Sequence, residues 1–427
     1  MNKPTYVDVL VVGAGPAGLA AAIATKRAGI NNLVVLERED EPGGILRQCI
    51  HTGFGLHRFQ VELTGPEYAH RDIITARDLN IDIRTGVTVL NVEKNKVVTA
   101  ISRERGLETY EAKAVILAMG CRERPRGALA IPGTRCAGIY SAGTAQKFVN
   151  MEGYMPGKRI VILGSGDIGL IMARRMTLQG AKVLACVELM PYSSGLNRNI
   201  VQCLQDFNIP LYLSHTVVDI QGKERVKSVT VAKVDENRRP IPGSEFVLQC
   251  DTLLLSVGLI PENELSVGAG VELSPATSGA VVDNALQTNV DGIFACGNVL
   301  HVHDLVDFVS DESFLAGRAA AEYVRGAMHK GVQINIQDGR GVRGCVPQKI
   351  LLPNDIKDDF SVSAMFRTDR VYRQRYITAF ADDEPIFSQK KMILTPGEMV
   401  VIKLDATMLK KCQGKRTLRF EVTDEKC

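Results

Sequence analysis

The fold is decided by the stretch Tyr6-Val7-Asp8-Val9-Leu10-Val11-Val12-Gly13-Ala14-Gly15-Pro16-Ala17-Gly18. Its first seven residues form an apolar run that is typical of a buried strand, and three spaced glycines follow at once. An alanine-rich segment then predicts a helix that stops at Gly29, and the next apolar strand, Leu33 to Leu36, is followed by Glu37. This order of strand, glycine-rich turn, helix, strand and acidic residue predicts a Rossmann domain that binds a dinucleotide.

The same order occurs a second time along the chain. Arg159 to Leu163 is the strand, Gly164-Ser165-Gly166-Asp167-Ile168-Gly169 is the glycine-rich turn, and a strand from Lys182 to Val187 is followed by Glu188. Four landmarks repeat, each 151 positions further on, because Gly13, Gly18, Gly29 and Glu37 correspond to Gly164, Gly169, Gly180 and Glu188. This constant offset predicts an internal duplication, with two nucleotide-binding domains in one chain.

The spacing of these residues has a chemical reason. The first glycine permits the turn, the second lets the backbone approach a pyrophosphate, and the third lets the helix pack on the strand. The helix amino terminus supplies positive charge to the phosphates. A carboxylate after the second strand accepts hydrogen bonds from ribose hydroxyls and repels a 2′-phosphate, so Glu188 favours NAD over NADP. A glycine-rich turn with a purely structural role is the alternative for each copy.

The bulk composition limits the classes of protein to consider. A chain of 427 residues is too long for one hydrophobic core, and its 45% apolar and 23% charged residues are typical of a globular protein of two or three domains. The net charge of +3 comes from scattered basic residues, which argues against nucleic acid or an anionic membrane as a partner. Residues 1–6 have no apolar segment of a secretion signal, and no apolar run is long enough for a transmembrane helix.

The ten cysteines lie at wide intervals, and no C-x-x-C motif occurs. This spacing predicts neither a zinc site nor a local iron–sulfur site, so no bound metal is expected. Widely spaced cysteines are typical of a cytoplasmic protein with reduced thiols.

Three further segments complete a family pattern. The apolar segments Ala114 to Gly120 and Thr252 to Gly258 both end in glycine, and Thr288 to Asn298 ends in Gly297-Asn298. Together with the two fingerprints, residues 7 to 325 resemble the pyridine nucleotide-disulfide oxidoreductase superfamily. The resemblance implies an α/β fold with two Rossmann-like domains of the glutathione and thioredoxin reductase type. It implies a discontinuous FAD-binding domain (1–140 and 266–330) and an inserted NAD-binding domain (141–265), with Ile131-Pro132-Gly133 marking the crossing.

The resemblance also assigns binding residues. The usual Asp of the ribityl contact is Asn298 here, whose amide can still bind a hydroxyl. A helix that begins near Ser310 to Ser313 would direct its amino terminus at the flavin, and Val87 would contact the adenine unless its segment is only a surface strand pair. The implied FAD contacts are Gly13, Gly15, Pro16, Ala17, Gly18, Glu37, Arg38, Gly44, Ile45, Val87, Ala118, Gly120, Gly297, Asn298 and Glu312. The implied NAD contacts are Gly164, Gly166, Asp167, Ile168, Gly169, Glu188 and Gly258.

The redox cysteine pair of the superfamily's disulfide reductases is missing. Only Cys49 follows Gly43-Gly44, at a different offset, so thiol–disulfide turnover is not expected, although a single thiol could cycle through sulfenic acid. His51 and His57 lie in the same segment, and His301, His303 and Asp304 follow Asn298. We name Cys49, His51, His301 and His303 as candidate catalytic residues near the flavin, with structural histidines as the alternative.

The segments Gly43 to His51, Ala142 to Gln146 and Gly164 to Met172 are similar to a narrower branch without the disulfide. Its members are flavoprotein subunits that accompany glycerol-3-phosphate dehydrogenase-like proteins, related to subunits of opine oxidase, dye-linked proline dehydrogenase and hydrogen cyanide synthase. This similarity implies hydride transfer between NAD(H) and FAD, an oligomer, and, as partner, a second flavoprotein dehydrogenase subunit, with a separate small iron–sulfur protein as a further candidate. The alternatives are a standalone NADH oxidase or diaphorase and a non-catalytic scaffold subunit.

The last part of the chain has a different pattern. From about Gly331 the nucleotide-binding signals end, and Phe360, Val362, Ala364 and Phe366 alternate as on one face of a strand. Further short strands punctuated by proline and glycine predict a small β-sandwich domain over residues 331–427. Lys410, Lys411, Lys415 and Arg416 are interpreted as a solvated turn rather than a docking site, and Cys427 is given no role.

Overall fold

The structure is a computed structural model, and it describes residues 3–328 and 331–426. The chain divides into two compact units, the first formed by residues 1–121 and 261–427 and the second by residues 122–260. The segment Ile131 to Gly133, which we expected at the crossing, lies within the second unit, where the Thr134 N–H donates to the carbonyl of Ile220 (2.8 Å). The predicted three-domain boundaries stay a prediction. Cys427 lies outside the described residues.

The strands in chain order are β1 (Thr5–Val12), β2 (Leu33–Leu36), β3 (Thr52–Phe54), β4 (Leu63–Thr64), β5 (Asp82–Arg84), β6 (Val87–Val92), β7 (Val97–Ser102), β8 (Gly106–Leu117), β9 (Cys121–Glu123), β10 (Ile139–Ser141), β11 (Arg159–Leu163), β12 (Lys182–Glu188), β13 (Leu211–Leu213), β14 (His215–Gly222), β15 (Val226–Lys233), β16 (Phe246–Gln249), β17 (Thr252–Leu255), β18 (Leu259–Pro261), β19 (Ile293–Ala295), β20 (Val332–Asp338), β21 (Val342–Val346), β22 (Lys349–Leu352), β23 (Val362–Thr368), β24 (Tyr372–Ala381), β25 (Glu384–Leu394), β26 (Val400–Leu404) and β27 (Thr417–Thr423). The α-helices are α1 (Pro16–Arg27), α2 (Gly65–Asp78), α3 (Ala142–Lys147), α4 (Asp167–Leu178), α5 (Asn197–Cys203), α6 (Glu264–Gly268), α7 (Val306–Val324) and α8 (Ala406–Lys411).

A twisted sheet organises the first unit. Its strand order is β5-β2-β1-β8-β7-β6, and β19 also pairs with β8. Strands β5, β2, β1, β8 and β19 are parallel, whereas β7 pairs antiparallel with both β8 and β6. Because carboxyl ends of parallel strands meet at one edge, this topology brings the residues after β1, β2, β8 and β19 together, where nucleotides bind in such sheets.

Helices α1 and α7 pack closely against each other beside this sheet. Small residues permit the approach, since a Cβ on Gly317 would lie 2.2 Å from the carbonyl oxygen of Ala21. The hydroxyl of Thr25 donates to the Gly317 carbonyl (3.0 Å), which satisfies a buried polar group between the helices.

Helix α7 begins earlier than the sequence predicted. We expected its amino terminus near Ser310 to Ser313, but the helix starts at Val306, so that expectation is wrong. The reason is a long-range contact: the carboxylate of Asp307 accepts N–H groups of Gly55 (3.1 Å) and Arg58 (3.0 Å), which fixes the first turn. Ser310 and Ser313 are consequently buried inside the helix.

The carboxyl-terminal residues of the first unit form two packed sheets. One has the order β22-β20-β27-β24-β25 and the other β21-β23-β26. Their inner faces share a core in which the rings of Phe366 and Phe420 lie 5.1 Å apart. Val362, Ala364 and Phe366 are buried on one face of β23, as the alternation predicted, and the β-sandwich prediction is confirmed.

The second unit repeats the Rossmann arrangement. Its parallel sheet has the order β10-β17-β11-β12-β13, and an antiparallel sheet β14-β15-β16 accompanies it. Helix α4 packs its apolar residues Leu170, Ala173 and Met176 into the core. The glycine-rich turn after β11 and Glu188 at the end of β12 therefore lie at the carboxyl edge of this second sheet.

Over the described residues, no helix combines the length and apolar character that crossing a membrane requires.

Candidate functional site

The first glycine-rich turn joins β1 to α1, and the fold requires two of its glycines. Gly13 has φ +102°, and a Cβ there would lie 2.6 Å from the carbonyl oxygen of Ala118. A Cβ on Gly18 would lie only 1.7 Å from the carbonyl oxygen of Gly13. Helix and strand could not approach this closely with any larger residue at position 18.

Gly15 differs from these two glycines, because neither its backbone conformation nor its protein neighbours require a glycine at this position. Its φ of −73° and ψ of −174° suit any residue, and a Cβ would meet nothing nearer than the Cα of Gly44 at 3.9 Å. Gly15 is the N-cap of α1 and provides no side-chain cap, so the first N–H groups of the helix face this open space. We call this open space, between Gly15 and the first turn of α1, the first cradle. A pyrophosphate fits such a cradle, and any side chain at position 15 would fill it.

Glu37 ties the second strand to the turn. Its buried carboxylate accepts the N–H of Ala14 (2.7 Å) and that of Glu39 (2.9 Å). Val87 also lies here, since its N–H donates to the carbonyl of Glu37 (2.9 Å). The predicted ribose and adenine contacts are thus brought together beside the first turn.

The second unit repeats both contacts of the Glu37 carboxylate. The carboxylate of Glu188 accepts the N–H groups of Ser165 (2.9 Å) and Met190 (2.9 Å), which lie 151 positions after Ala14 and Glu39. Gly164 has φ +96°, and a Cβ there would lie 2.0 Å from the Ser256 carbonyl oxygen. A Cβ on Gly166 would come no nearer to the protein than 3.5 Å, its distance from the hydroxyl of Ser256, so here too the second glycine leaves an open cradle at an uncapped helix.

The second cradle has additional polar contacts. The hydroxyl of Ser165 donates to Glu188 (2.6 Å). Asp167, at the first position of α4, accepts the N–H of Leu196 (2.8 Å) and the side-chain amide of Asn199 (2.6 Å). Asp167 therefore fixes the segment after β12 against the second turn. Ile168 and Gly169 lie in the first turn of the same helix, and Gly258, with φ +102°, follows β17 at the same sheet edge.

The remaining FAD candidates lie around the first cradle. Pro16 and Ala17 form the first turn of α1, and the Ala118 N–H donates to the Val12 carbonyl (3.0 Å), which places Ala118 and the following Gly120 beside that turn. A Cβ on Gly44 would lie 2.8 Å from the Cα of Gly15. The side chains of Arg38 and Ile45 are exposed.

A buried cluster of His301, Glu312 and His303 lies next to Gly297. The Nε2 atoms of His301 and His303 lie 2.6 Å and 3.2 Å from the two carboxylate oxygens of Glu312, and Gly297 donates its N–H to the same carboxylate (2.7 Å). The N–H of His303 donates to the side-chain oxygen of Asn298 (3.0 Å). A Cβ on Gly297 would lie 2.7 Å from the Cβ of Ala17, so the cluster adjoins the first turn of α1.

The cluster places one carboxylate between two imidazoles. Burial lowers the pKa of His301. Burial alone would raise the pKa of Glu312, but the two imidazoles and their hydrogen bonds hold it well below its usual range. The Nδ1 atom of His303 is buried and has no hydrogen-bond partner among the residues that the structure describes. The three side chains could also surround a metal ion, although the two short nitrogen–oxygen distances are those of hydrogen bonds.

The other two candidate catalytic residues have different neighbours. The thiol of Cys49 donates to the carbonyl of Ile45 (3.3 Å), and burial raises its pKa to about 12, so it is a neutral thiol near pH 7. The imidazole of His51 lies against Phe54, with 5.0 Å between the ring centres. The structure thus brings His301 and His303 to one carboxylate, while Cys49 and His51 stay with the segment after Gly44.

Sequence reasoning missed a polar network that holds this segment. The guanidinium of Arg58 forms a two-pronged ion pair with the buried carboxylate of Asp72 and donates to Tyr68 (3.3 Å) and Ser310 (3.2 Å). The arginine also lies 4.6 Å over the ring of Phe59. An aspartate among the apolar positions of α2 was the available signal, because a buried carboxylate requires a cationic partner.

A family model described as "Pyridine nucleotide-disulphide oxidoreductase" matches residues 7–312. Among curated proteins, the chain is 29% identical over 364 residues to "Glutamate synthase [NADPH] small chain" of Escherichia coli (strain K12), covering 75% of this chain and 68% of that protein. It is 26% identical over 314 residues to a subunit of opine oxidase from Agrobacterium tumefaciens (strain Ach5), covering 69% of this chain and 61% of that one.

Among solved structures, thioredoxin reductase of T. acidophilum matches with a TM-score of 0.60 and 26% identity, covering 75% of this chain and 98% of that one. These matches confirm the predicted fold, two Rossmann-like domains that bind FAD and NAD(P).

Proposed function

Because the chain belongs to the pyridine nucleotide-disulphide oxidoreductase family, whose members use FAD and NAD(P)H, we propose that it exchanges electrons between NAD(H) and a second, substrate-oxidising flavoprotein. That it is an FAD-dependent oxidoreductase follows from the family. The nucleotide preference, the residues that bind each cofactor and the partner are the content of the proposal.

The observation that carries the proposal is the repeated cradle. Gly15 and Gly166 each leave open space before an uncapped helix, where the fold would accept a larger residue. Glu37 and Glu188 hold their turns with the same backbone contacts. A scaffold without a nucleotide would have no need of either open cradle, so the geometry supports two working dinucleotide sites.

The absence of a disulfide supports electron transfer without a thiol intermediate. No two described cysteines are joined by a disulfide, and the sequence has no C-x-x-C motif. The neutral thiol of Cys49 is a poor nucleophile and gives little support to a sulfenic acid cycle.

The second site favours NAD over NADP. A 2′-phosphate would lie against the carboxylate of Glu188, and the first basic residue after Glu188 in the sequence is Arg198, ten positions on. The name of the E. coli relative specifies NADPH for that protein, so the choice of nucleotide needs a direct test in this one.

Each residue has a definite task in this proposal. When bound, FAD accepts hydride from NADH and passes the electrons on. The N–H groups at the start of α1 and α4 hold the pyrophosphates of the two nucleotides, and Glu37 and Glu188 accept hydrogen bonds from their ribose hydroxyls. Val87, Gly120 and Asn298 would complete the FAD contacts, and Gly258 the NAD site. The protein positions the groups, and no covalent protein intermediate is involved.

The partner we propose is a glycerol-3-phosphate dehydrogenase-like flavoprotein in the cytoplasm. The support is similarity to relatives whose names describe a small chain and a subunit, together with the similarity of the segments around Gly43, Ala142 and Gly164 to such accessory subunits. A standalone NADH oxidase or diaphorase is the second candidate, because the two cradles would serve it equally well.

The proposal is tested by anaerobic titration of the purified holoprotein with NADH and, separately, with NADPH. We expect NADH to bleach the flavin absorbance stoichiometrically and NADPH to do so much more weakly. The proposed partnership would be supported if the co-purified dehydrogenase reoxidises the reduced flavin quickly and oxygen reoxidises it only slowly. Fast oxygen consumption without a partner would establish the oxidase instead. A flavin that NADH does not reduce would overturn both candidates.

A further inference from the structure

The cluster of His301, Glu312 and His303 carries a charge that its surroundings do not balance. Glu312 is 5% exposed and accepts N–H groups from both imidazoles and from Gly297. With neutral imidazoles the cluster has a net charge of −1 in a region from which water is largely excluded. Such a charge persists only with strong hydrogen bonds, and it attracts a proton whenever its surroundings become more negative.

The imidazole of His303 has one nitrogen atom left to receive a proton. Its Nε2 faces Glu312 and, carrying hydrogen, donates to that carboxylate, which makes Nδ1 the unprotonated atom of the neutral ring. This Nδ1 is buried, and within residues 3–328 and 331–426 no group forms a hydrogen bond with it. Protonation of Nδ1 would produce an imidazolium beside an ionised carboxylate and bring the charge of the cluster to zero.

The position of the cluster connects it to the FAD site. Gly297, which donates to Glu312, packs on Ala17 in the first turn of α1, and Asn298 accepts the backbone N–H of His303. Two candidate FAD contacts are thus bonded directly to two members of the cluster. Electrons that arrive on the cofactor add negative charge to this region, and added negative charge raises the proton affinity of an imidazole.

Other charged and titratable groups near the cluster do not take over this task. Arg367 of β23 lowers the pKa of His301 by its charge, but it is paired with Asp304 and donates to the Val302 carbonyl (3.1 Å). Cys296 lies near Glu312, and burial raises the pKa of its thiol to about 12, so it stays protonated. The two imidazoles are the side chains of the cluster whose type gains or loses a proton most readily near neutral pH.

We propose that the His301–Glu312–His303 cluster takes up one proton from solvent when the bound FAD is reduced, on Nδ1 of His303, and releases it when the electrons leave. NADH delivers two electrons and one proton as hydride to the cofactor, and the additional proton comes from solvent to the imidazole, so charge and atoms balance. The inference rests on the proposed binding of FAD beside Gly297 and Asn298. It makes reduction of the protein proton-coupled.

The test is a redox titration of the holoprotein, followed by flavin absorbance at several values between about pH 6 and about pH 9, the range in which an imidazole changes charge. The pH dependence of the midpoint potential gives the number of protons taken up per electron pair. We expect wild-type protein to take up one proton more than Glu312→Gln and His303→Gln. His70→Gln, which changes an exposed histidine on α2, is the matched control and should behave as wild type.

A second measurement needs no variant and covers the case in which a substitution impairs folding. In wild-type protein with isotope-labelled histidine rings, the reduced-minus-oxidised infrared difference spectrum should contain new imidazolium bands. Equal proton numbers in wild type and both variants, or a spectrum without those bands, would overturn the inference. Stoichiometric zinc or iron that is lost in His303→Gln would also overturn it, because the cluster would then be a metal site.

The two levels of the proposal fail in different ways. Flavin that NADH does not reduce contradicts the proposed function. Flavin that is reduced normally without the additional proton contradicts only the inference about the cluster.

Discussion

Two carboxylates, those of Glu37 and Glu188, each hold a glycine-rich turn by its own backbone. Each accepts the N–H that follows the first glycine of its turn and the N–H two residues beyond itself. The identical contacts support duplication of one ancestral half. Two glutamates that were alike only in residue type would not be expected to accept the same two backbone N–H groups. They also fix each carboxylate at the place where ribose hydroxyls are expected.

Replacing Glu188 should change the nucleotide preference. We expect Glu188→Arg to weaken reduction by NADH and improve reduction by NADPH, so that the ratio of their kcat/KM values changes by about tenfold to a hundredfold. Hydrogen bonds to charged groups contribute about 1.5–3 kcal/mol, and about 1.4 kcal/mol corresponds to tenfold. Flavin reduction rates with both nucleotides measure the effect, and Glu188→Gln is the control that removes charge while keeping an acceptor. An unchanged ratio would remove Glu188 from the ribose site.

Replacing Gly15 should abolish FAD binding and leave the fold intact. Its backbone conformation suits valine, and a Cβ would have no close protein neighbour, so Gly15→Val fills only the cradle. The ratio of flavin to protein absorbance gives occupancy, and circular dichroism checks the fold. Gly127→Val is the matched control, since a Cβ on Gly127 would meet nothing within 4 Å and this glycine lies in the second unit. Stoichiometric FAD in Gly15→Val would contradict the assignment of the first cradle.

How far sequence reasoning reaches depends on whether a contact is local. The strands, glycines and acidic residues of both turns could be predicted, because each depends on neighbours in sequence. The start of α7 could not, because Asp307 binds the N–H groups of Gly55 and Arg58, about 250 positions away. The same limit applies to the cluster, since His301 and His303 were named as flavin neighbours while their bond to Glu312 of the helix was not foreseen.

The segment from β3 to β4 depends on a buried ion pair that joins it to α2 and α7. Removing one partner leaves an uncompensated buried charge, so we expect Arg58→Met to lower the free energy of unfolding by about 3–5 kcal/mol. Removing the exposed Arg105 should cost about 0–1 kcal/mol, because its partner Glu108 keeps the hydrogen bonds from the hydroxyls of Ser102 and Tyr110. Urea unfolding measures both variants.

The double variant Arg58→Met/Asp72→Leu separates charge from packing. If the buried charge is the cause, replacing both partners by apolar residues should restore much of the stability that Arg58→Met loses. If Arg58→Met is no less stable than the Arg105→Ala control, the pair of Arg58 and Asp72 does not hold the segment from β3 to β4.

For the whole molecule, the sequence predicted two Rossmann domains and a β-sandwich from repeated local patterns. It could not predict that the β-sandwich contacts the loop of the cluster. Arg367 of β23 pairs with Asp304, and Asp304 also accepts the N–H of Met399 (2.7 Å). That link joins residues about 60 to 95 positions apart, and no periodicity records it. The sandwich therefore supports the loop that carries His301 and His303.

The buried cluster should make the stability of the whole protein depend on pH in a defined direction. The pKa values of His301 and Glu312 are both lower in the folded chain than in the unfolded chain, where histidine titrates near about 6.5 and glutamate near about 4.3. Below these values the unfolded chain binds more protons than the folded one, so acidification favours unfolding. The stability contributed through His301 is lost as the pH falls below about 6.5, and that contributed through Glu312 is lost below about 4.3.

We expect the urea midpoint of the oxidised holoprotein to fall between about pH 7 and about pH 5, and to fall less in His301→Gln, whereas His70→Gln should follow wild type. An equally steep fall in His301→Gln would mean that another group causes the acid sensitivity and that the imidazole of His301 is not held neutral in the folded protein.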